Sequence, residues 1–176
     1  MSATFTYNLM MQLAGVINRD ILTYLSPFGY SENFTQFDLV DLWPQSWPAL
    51  LICESVDDFD PESEQTFKQT VNLRCRVQLS EVDRNICAQK MRGYLGALVN
   101  LFAYYDWQRH AADLVAPIQL PISLAQLIPG GLTPGVTANV TRIFARRITM
   151  DEFGVKGNGF LLRSTVHVVI NQEEVL

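Results

Sequence analysis

The sequence is poor in the residue types from which many active sites are built. Among its 176 residues there are only two histidines, His110 and His167, and three cysteines, Cys53, Cys75 and Cys87. Three is an odd number, no two cysteines form a CxxC pair, and no histidine lies near them in the sequence. A zinc site or a disulfide framework is therefore poorly supported, and we interpret the cysteines as small buried side chains. We predict no metal ion and no cofactor.

Sequence motifs of enzyme active sites are also missing. There is no GxSxG nucleophile elbow, and no Ser or Cys stands in a recognisable context with His. The glycines of "GVKGNG" (154–159) lack the GxxxxGK[ST] order of a phosphate-binding loop. We expect His167 to be a half-exposed strand residue, because a general base needs a nucleophile or an acid beside it. The sequence thus favours a protein that is not an enzyme.

Long apolar runs and a surplus of positive charge are absent as well. The longest strongly apolar run, 93–105, is too short to span a bilayer, and the N-terminus lacks the basic flank of a signal peptide, so we expect no membrane partner. The net charge of −5 argues against general nucleic-acid binding. The chain is 48% hydrophobic, which is enough for a full core, and its length favours a single domain over residues 1–176.

An alternation of apolar and polar residues, with only Gln69 out of step, marks the stretch "FKQTVNLRCRVQL" (67–79). This pattern predicts a strand with one face on the core. If the strand continues back to Gln65, it has about 15 residues and a length of roughly 50 Å, which is long against a typical strand. Its polar face carries Lys68, Arg74 and Arg76.

Two amphipathic helices are predicted. The first begins after Thr6 as N-cap and ends at Ser26. The second begins at a capping box formed by Ser80 and Asp83 and ends near Trp107. Its expected apolar stripe consists of Val82, Ile86, Tyr94, Leu98, Leu101, Phe102 and Tyr105.

Other segments complete the expected fold. Residues 49–54 are predicted to be a buried strand, and residues 30–48 to be irregular. Residues 108–137, which hold His110 and four prolines, form a long proline-rich loop or interaction arm. Segments 137–150 and 159–172 form a hairpin around a glycine-rich turn. This order predicts an α+β fold, with a mainly antiparallel sheet and two principal helices packed on one face.

An acidic loop is predicted immediately before the long strand, at residues 55–64. It resembles the start of a calcium-binding loop, but Ser63 stands where that loop needs Gly and Gln69 where it needs Glu, so an EF-hand is excluded. Irregular, weak calcium binding stays open. The carboxylates that we assign to a candidate interface are Asp57, Asp58, Asp60, Glu62 and Glu64.

A cationic sheet face is the second candidate interface. If the long strand and the final hairpin share one sheet, its outer face is basic, and Arg147 adds to it. A cationic face and an acidic loop at different places suit head-to-tail association, whereas an ordinary solvated face fits the same pattern. The assigned residues are Lys68, Arg74, Arg76, Arg142, Arg146 and Arg163.

The order of these elements resembles the tail-terminator (tail-completion, head–tail joining) proteins of long-tailed bacteriophages. The resemblance runs through "PALLICE", the acidic loop, "QTFKQTVNLRCRVQLS", the capped helix, and the closing pair "RIFARRITMDEFG" and "FLLRSTVHVVINQ". It covers most of the chain and is one of pattern, since the family has no short diagnostic motif. No functional residue is carried over from it.

The resemblance implies a non-enzymatic protein of the virion, made in the host cytoplasm. Six copies would form a ring on the last ring of the tail tube, stop its growth and join it to the neck or connector protein. The charged inner face would line a channel that DNA passes without specific binding. Two alternatives stay open. One is another neck or tail-tube component, and the other is a small cytosolic enzyme or ligand-binding domain with a cleft under the long loop.

Overall fold

The protein was examined as a computed structural model, which describes residues 2–39, 44–54, 58–60, 66–111 and 137–175. Two helices and six strands occupy most of these residues. The helices are α1 (Ser2–Leu25), followed by a 3-10 turn (Ser26–Phe28), and α2 (Arg84–Ala111). The strands are β1 (Gln36–Asp38), β2 (Ala49–Glu54), β3 (Asp58–Asp60), β4 (Thr66–Glu81), β5 (Thr137–Lys156) and β6 (Gly159–Val175).

All six strands belong to one sheet. Its order is β1-β2-β4-β6-β5, and β3 pairs with β4 beyond the end of β2. Every pairing is antiparallel except that of β1 with β2, which is parallel. The predicted α+β fold with a mainly antiparallel sheet is therefore confirmed. Strand β1 lies in a segment that we predicted to be irregular, so that prediction was wrong for residues 36–38.

The long strand is confirmed. β4 has 16 residues and pairs with β6 along its whole length, from Thr66 opposite Val175 to Glu81 opposite Phe160. The final hairpin is longer than predicted, because its strands continue until Lys156 pairs with Gly159. Only two residues are left for the turn. The first, Gly157, has a φ of +62°, which glycine adopts without a steric cost.

The alternation in β4 separates a core face from a polar face. Val71, Leu73, Cys75, Val77 and Leu79 are buried and belong to the main core. Residues at the even positions from 70 to 76 are only partly buried. Successive side chains in a strand point to opposite faces, so this pattern follows directly from the sequence.

Both helices cover the core face of the sheet. α2 packs against β4, β5 and β6, and α1 packs against α2 and β2. The helical side chains that are buried in this core include Leu13, Ile17, Ile21 and Leu25 of α1, and Cys87, Met91, Tyr94, Leu98, Leu101 and Phe102 of α2. The predicted packing of two helices on one face is confirmed.

The start of α2 differs from the predicted capping box. Asp83 itself is the N-cap, since its Oδ1 accepts hydrogen bonds from the backbone N–H groups of Asn85 (2.7 Å) and Ile86 (3.0 Å). Ser80 lies in β4. Because the helix begins only at Arg84, Val82 precedes it and is 79% exposed. Ile86 is 53% exposed, because the buried stripe passes through the next residue, Cys87.

Two other predicted boundaries also shift. α1 begins at Ser2, so Thr6 lies inside the helix and is not its N-cap. α2 continues past Trp107 to Ala111, so His110 is helical rather than part of a loop. Most of the predicted interaction arm, residues 112–136, lies outside the described residues. No helix in the described ranges is long and apolar enough to cross a membrane.

Candidate functional site

The candidate site is the polar face of the sheet where it crosses β4, β6 and β5. Strand register places Arg74 of β4 opposite His167 of β6, and His167 opposite Arg147 of β5. Neighbouring strands are about 4.8 Å apart, so these three residues form one row about 10 Å wide. The register therefore groups three basic side chains that are far apart in the sequence.

An open groove lies beside this row. Its lining residues are Asn72, Leu73, Arg146, Arg147, His167, Val168 and Val169. We call these residues the cationic groove. None of them is acidic, and none carries a hydroxyl or a thiol. The groove is therefore suited to binding an anion.

A β-bulge explains why two consecutive arginines line the same groove. In a regular strand Arg146 and Arg147 would point to opposite faces. The pairing passes from Ala145 opposite Val168 to Arg147 opposite His167, so Arg146 is an extra residue without a partner in the register. A bulge of this kind changes the direction of a side chain. The alternation of the sequence alone does not predict this arrangement.

Hydrogen bonds join side chains on this face of the sheet, in the row and beside it. Nε2 of His167 lies 3.3 Å from Oγ1 of Thr149, and Nε of Arg76 donates to Oγ1 of Thr165 over 3.4 Å. Arg74, Arg76 and His167 are only half-exposed, whereas Arg147 is exposed. The site thus combines side chains that are held in place by the sheet with exposed arginines at its edge.

Arg142 is separate from the groove, although it was predicted to share the cationic face. Its guanidinium forms a bidentate salt bridge with Asp106 of α2, with Nε–Oδ1 and Nη2–Oδ2 distances of 2.9 and 3.0 Å. Oδ1 of Asp106 also accepts the backbone N–H of Ile143 (3.1 Å). Arg142 therefore connects the edge strand to a helix, and its charge is compensated within the chain.

Lys68 has an acidic residue at each of the two strand positions paired with it. Its position in β4 is opposite Asp60 of β3 on one side and opposite Glu173 of β6 on the other. Residues of opposite charge at directly paired positions favour each other. The register therefore places acidic residues, rather than further cations, on both sides of Lys68.

The predicted acidic loop is in part a strand. Asp58 and Asp60 belong to β3, where Asp58 pairs with Thr70. This corrects the prediction of a continuous loop over 55–64. Asp57, Glu62 and Glu64 lie outside the described residues.

Arg163 lies at the other end of the face, between Gln78 of β4 and Glu152 of β5 in the register. Gln78 is completely buried, and its amide atoms have no hydrogen-bond partner among the residues described. Next to it, Ala49 and Leu51 of β2 are buried in a small second cluster. Much of this end of the polar face is therefore buried. The cationic groove lies on the part of the polar face that is open.

One side-chain amide positions a segment near this end of the polar face. Oε1 of Gln36 in β1 accepts hydrogen bonds from the backbone N–H groups of Gln45 (2.9 Å) and Ser46 (3.1 Å). The hydroxyl of Thr35 donates to the carbonyl of Pro48 over 3.1 Å. Segment 44–48 is thus attached to the β1–β2 edge of the sheet.

The cysteines fit the structural role expected from the sequence. Cys53, Cys75 and Cys87 are all buried, and none of the three forms a disulfide. Burial raises the pKa values of Cys75 and Cys87 above that of an ordinary thiol, so both are kept in the unreactive thiol form at neutral pH. Within the ranges that the structure describes, no group of three or more His, Cys, Asp or Glu residues could hold a metal ion.

Comparisons with known proteins add a structural likeness. No family model and no curated protein sequence matches the chain. A chain from the virion of a native gene transfer agent particle aligns with 90% of this chain and 96% of its own length, at 10% sequence identity and a TM-score of 0.38. At this TM-score the two backbones do not superpose closely enough to transfer a role from that particle.

Proposed function

We propose that this chain is a structural protein of the virion of a long-tailed bacteriophage, and specifically a tail terminator. Six copies form a ring on the end of the tail tube, stop the growth of the tube, and present a surface to the neck or connector protein. The starting point is the pattern resemblance along most of the sequence. The protein acts by association rather than by catalysis.

The observation that carries this proposal is the position of the cationic groove. The helices cover one face of the sheet, and the groove lies on the open part of the other face, across three strands. The acidic strand β3 pairs with β4 on its other edge, away from β6. A ring requires two different, complementary surfaces on each subunit, and these two regions meet that requirement.

The overall charge is compatible with a channel for DNA. A net charge of −5 limits general attraction to phosphates, and DNA must pass such a channel without being held. The tail-tube protein and the neck protein are the expected partners, and the assembled virion is the expected location. The basic side chains of the cationic face then either form contacts between subunits or line the channel.

Electron microscopy of the purified protein tests this function. We expect single-layer rings that bind to one end of isolated tail tubes and prevent their elongation. Open stacks of rings would instead identify a tube subunit. A stable monomer that never binds tail tubes would contradict the proposal.

Substitutions on the sheet face test whether that face is used. The double variant Arg74→Glu/Arg76→Glu reverses two charges next to the groove, and we expect it to lose rings and tail-tube binding. The matched control is Arg84→Glu/Arg92→Glu, which reverses two exposed charges on α2. If both variants behaved like the unmodified protein, the face would be an ordinary solvated surface.

A second candidate function follows from the chemistry of the groove. Its arginines, His167 and Asn72 would also suit a small anionic ligand. Calorimetric titration with phosphate and with citrate distinguishes the two functions. Tight binding of one of these ions to a protein that stays monomeric would favour a ligand-binding domain.

A further inference from the structure

The cationic groove has the chemistry of a site for carboxylates. Guanidinium groups bind carboxylates through paired, charge-assisted hydrogen bonds, and two of them lie side by side here because of the bulge at Arg146. His167 and Asn72 add further groups that are able to donate hydrogen bonds. Among the residues that the structure describes, none of those lining the groove is acidic.

The sequence contains one dense source of carboxylates. Residues 55–64 include five acidic side chains, and Glu54 precedes them directly. We propose that the cationic groove binds this acidic segment of a second copy of the chain. The inference deepens the proposed function and rests on it, because it names the contact between neighbouring subunits of the ring.

Geometry favours a second copy over the chain's own segment. β3, in the middle of the segment, pairs with β4 on the side away from β6. The groove lies across β4, β6 and β5, and its two arginines and His167 stand on β5 and β6, three and two strands from β3. At about 4.8 Å per strand, the backbone of β3 is roughly 10 to 14 Å from the backbone of these three residues, and β4 lies between them.

The sheet edge favours a contact through the face. β5 is the edge strand beside the groove, and its pairing shifts at 140/142, at 145/147 and at 150/152. Bulges at such regular intervals hinder a further strand from pairing along an edge. A second copy is therefore expected to bind across the face through side chains, rather than to extend the sheet.

This contact is directional, because one subunit provides the groove and its neighbour provides the acidic segment. Each subunit keeps one free groove and one free segment until the ring closes. Such heterologous contacts form rings when the rotation between neighbours closes. The charge pattern of a single chain thus determines the direction of each contact in the assembly.

A charge-swap experiment tests the contact. Variant one is Arg146→Glu/Arg147→Glu in the groove. Variant two is Asp57→Lys/Glu62→Lys/Glu64→Lys, which makes the segment cationic and is chosen because all three positions lie outside β3. We expect each variant alone to associate at least about tenfold more weakly than the unmodified protein in analytical ultracentrifugation. An equal mixture should regain association, because the reversed groove then meets the reversed segment.

Circular dichroism and thermal unfolding verify that both variants are folded, and Arg84→Glu/Arg92→Glu serves as the matched control. Unchanged association of either variant would overturn the inference, and so would a mixture that fails to recover. The inference would also be overturned if the groove variant self-associated normally and lost only the ability to bind added polyphosphate. Failure of the proposed function is a separate result, in which oligomers obey the charge-swap rule but never bind tail tubes.

Discussion

At the scale of single residues, two glycines of α2 allow a close contact with the segment that follows α1. A Cβ atom at Gly93 would lie 2.5 Å from Cε2 of Tyr30, and one at Gly96 would lie 2.7 Å from Cζ of Phe28. Real Cβ atoms do not approach other atoms so closely, so a side chain at either position forces the ring to move. The Tyr30 ring stacks on that of Tyr94, whereas Phe28 is 43% exposed.

We predict that Gly93→Ala lowers the free energy of unfolding by about 1–3 kcal/mol, because the cost of overpacking exceeds the gain in helix propensity. Gly96→Ala should cost less, since Phe28 has room to move. Gly15→Ala in α1 is the control, because its Cβ would meet no atom within 4 Å. There we expect a gain of up to about 1 kcal/mol. Urea denaturation measures all three, and equal effects at Gly15 and Gly93 would contradict the prediction.

The N-cap of α2 provides a second prediction at this scale. Asp83→Ala removes the acceptor for two backbone N–H groups and should lower stability by about 0.5–2 kcal/mol. Ser80→Ala should have a smaller effect, because Ser80 lies in β4 and does not cap the helix. Thermal unfolding compares the two variants. A larger loss of stability in Ser80→Ala than in Asp83→Ala would contradict this assignment and support the capping box predicted from the sequence.

At the scale of elements, a polar cluster joins α1 to α2. Arg19 donates hydrogen bonds to Asp20 (2.7 Å) and to the hydroxyl of Tyr105 (2.8 Å), and that hydroxyl donates to Asp20. Burial, followed by the hydrogen bond to Asp20, raises the pKa of Tyr105 from 10 to about 12. The hydrogen bond from Arg19 is the largest cause that lowers the pKa of Asp20.

These shifts predict how stability depends on pH. The folded-state pKa of Tyr105 is raised, so its contribution is complete below about pH 10 and is lost as the pH rises through about 12. The folded-state pKa of Asp20 is lowered, so its contribution is present above its ordinary pKa of 3.8 and is lost as the pH falls. Tyr105→Phe should cost about 0.5–1.5 kcal/mol at pH 7.

Denaturation between pH 7 and pH 12 measures the contribution of Tyr105 to stability at alkaline pH. The difference in stability between the unmodified protein and Tyr105→Phe should shrink as the pH rises. Tyr104→Phe is a control, because Tyr104 is a neighbouring tyrosine of α2 that is 41% exposed. A difference that stays constant up to pH 12 would show that the phenol proton does not stabilise this contact.

At the scale of the whole molecule, the charge pattern predicts how association depends on salt. The screening length falls from about 10 Å at 0.1 M salt to about 3 Å at 1 M. If the cationic groove binds acidic segments, self-association should weaken strongly over this range, while the free energy of unfolding changes little. Sedimentation at both salt concentrations measures the first quantity, and urea denaturation measures the second. Association that is equally strong or stronger at 1 M would indicate an apolar contact.

Patterns with a short period could be read from the sequence. The alternation from Val71 to Leu79 identified the long strand and its buried face, and the spacing of apolar residues identified both helices. The final hairpin was predicted from its glycines and its β-rich flanks. Each of these depends on neighbours within a few residues, because backbone geometry repeats every two residues in a strand and every 3.6 in a helix.

Features that depend on register could not be predicted in this way. The sequence suggested one basic face containing Lys68 and Arg142, whereas the register gives Lys68 acidic neighbours and the structure gives Arg142 an acidic partner. Lys68 lies opposite Asp60, and Arg142 binds Asp106 of α2. The sequence predicted that His167 is half-exposed, but it did not predict that the register places His167 between two arginines.

The sequence by itself thus determined the fold class, the main elements, and which side of β4 faces the core. The tertiary structure decided which cations share a surface, because that depends on pairing between strands that are about 90 residues apart and on a bulge at Arg146. Local periodicity carries no information on such pairings. It places each side chain on a face, whereas only the paired sheet determines its neighbours.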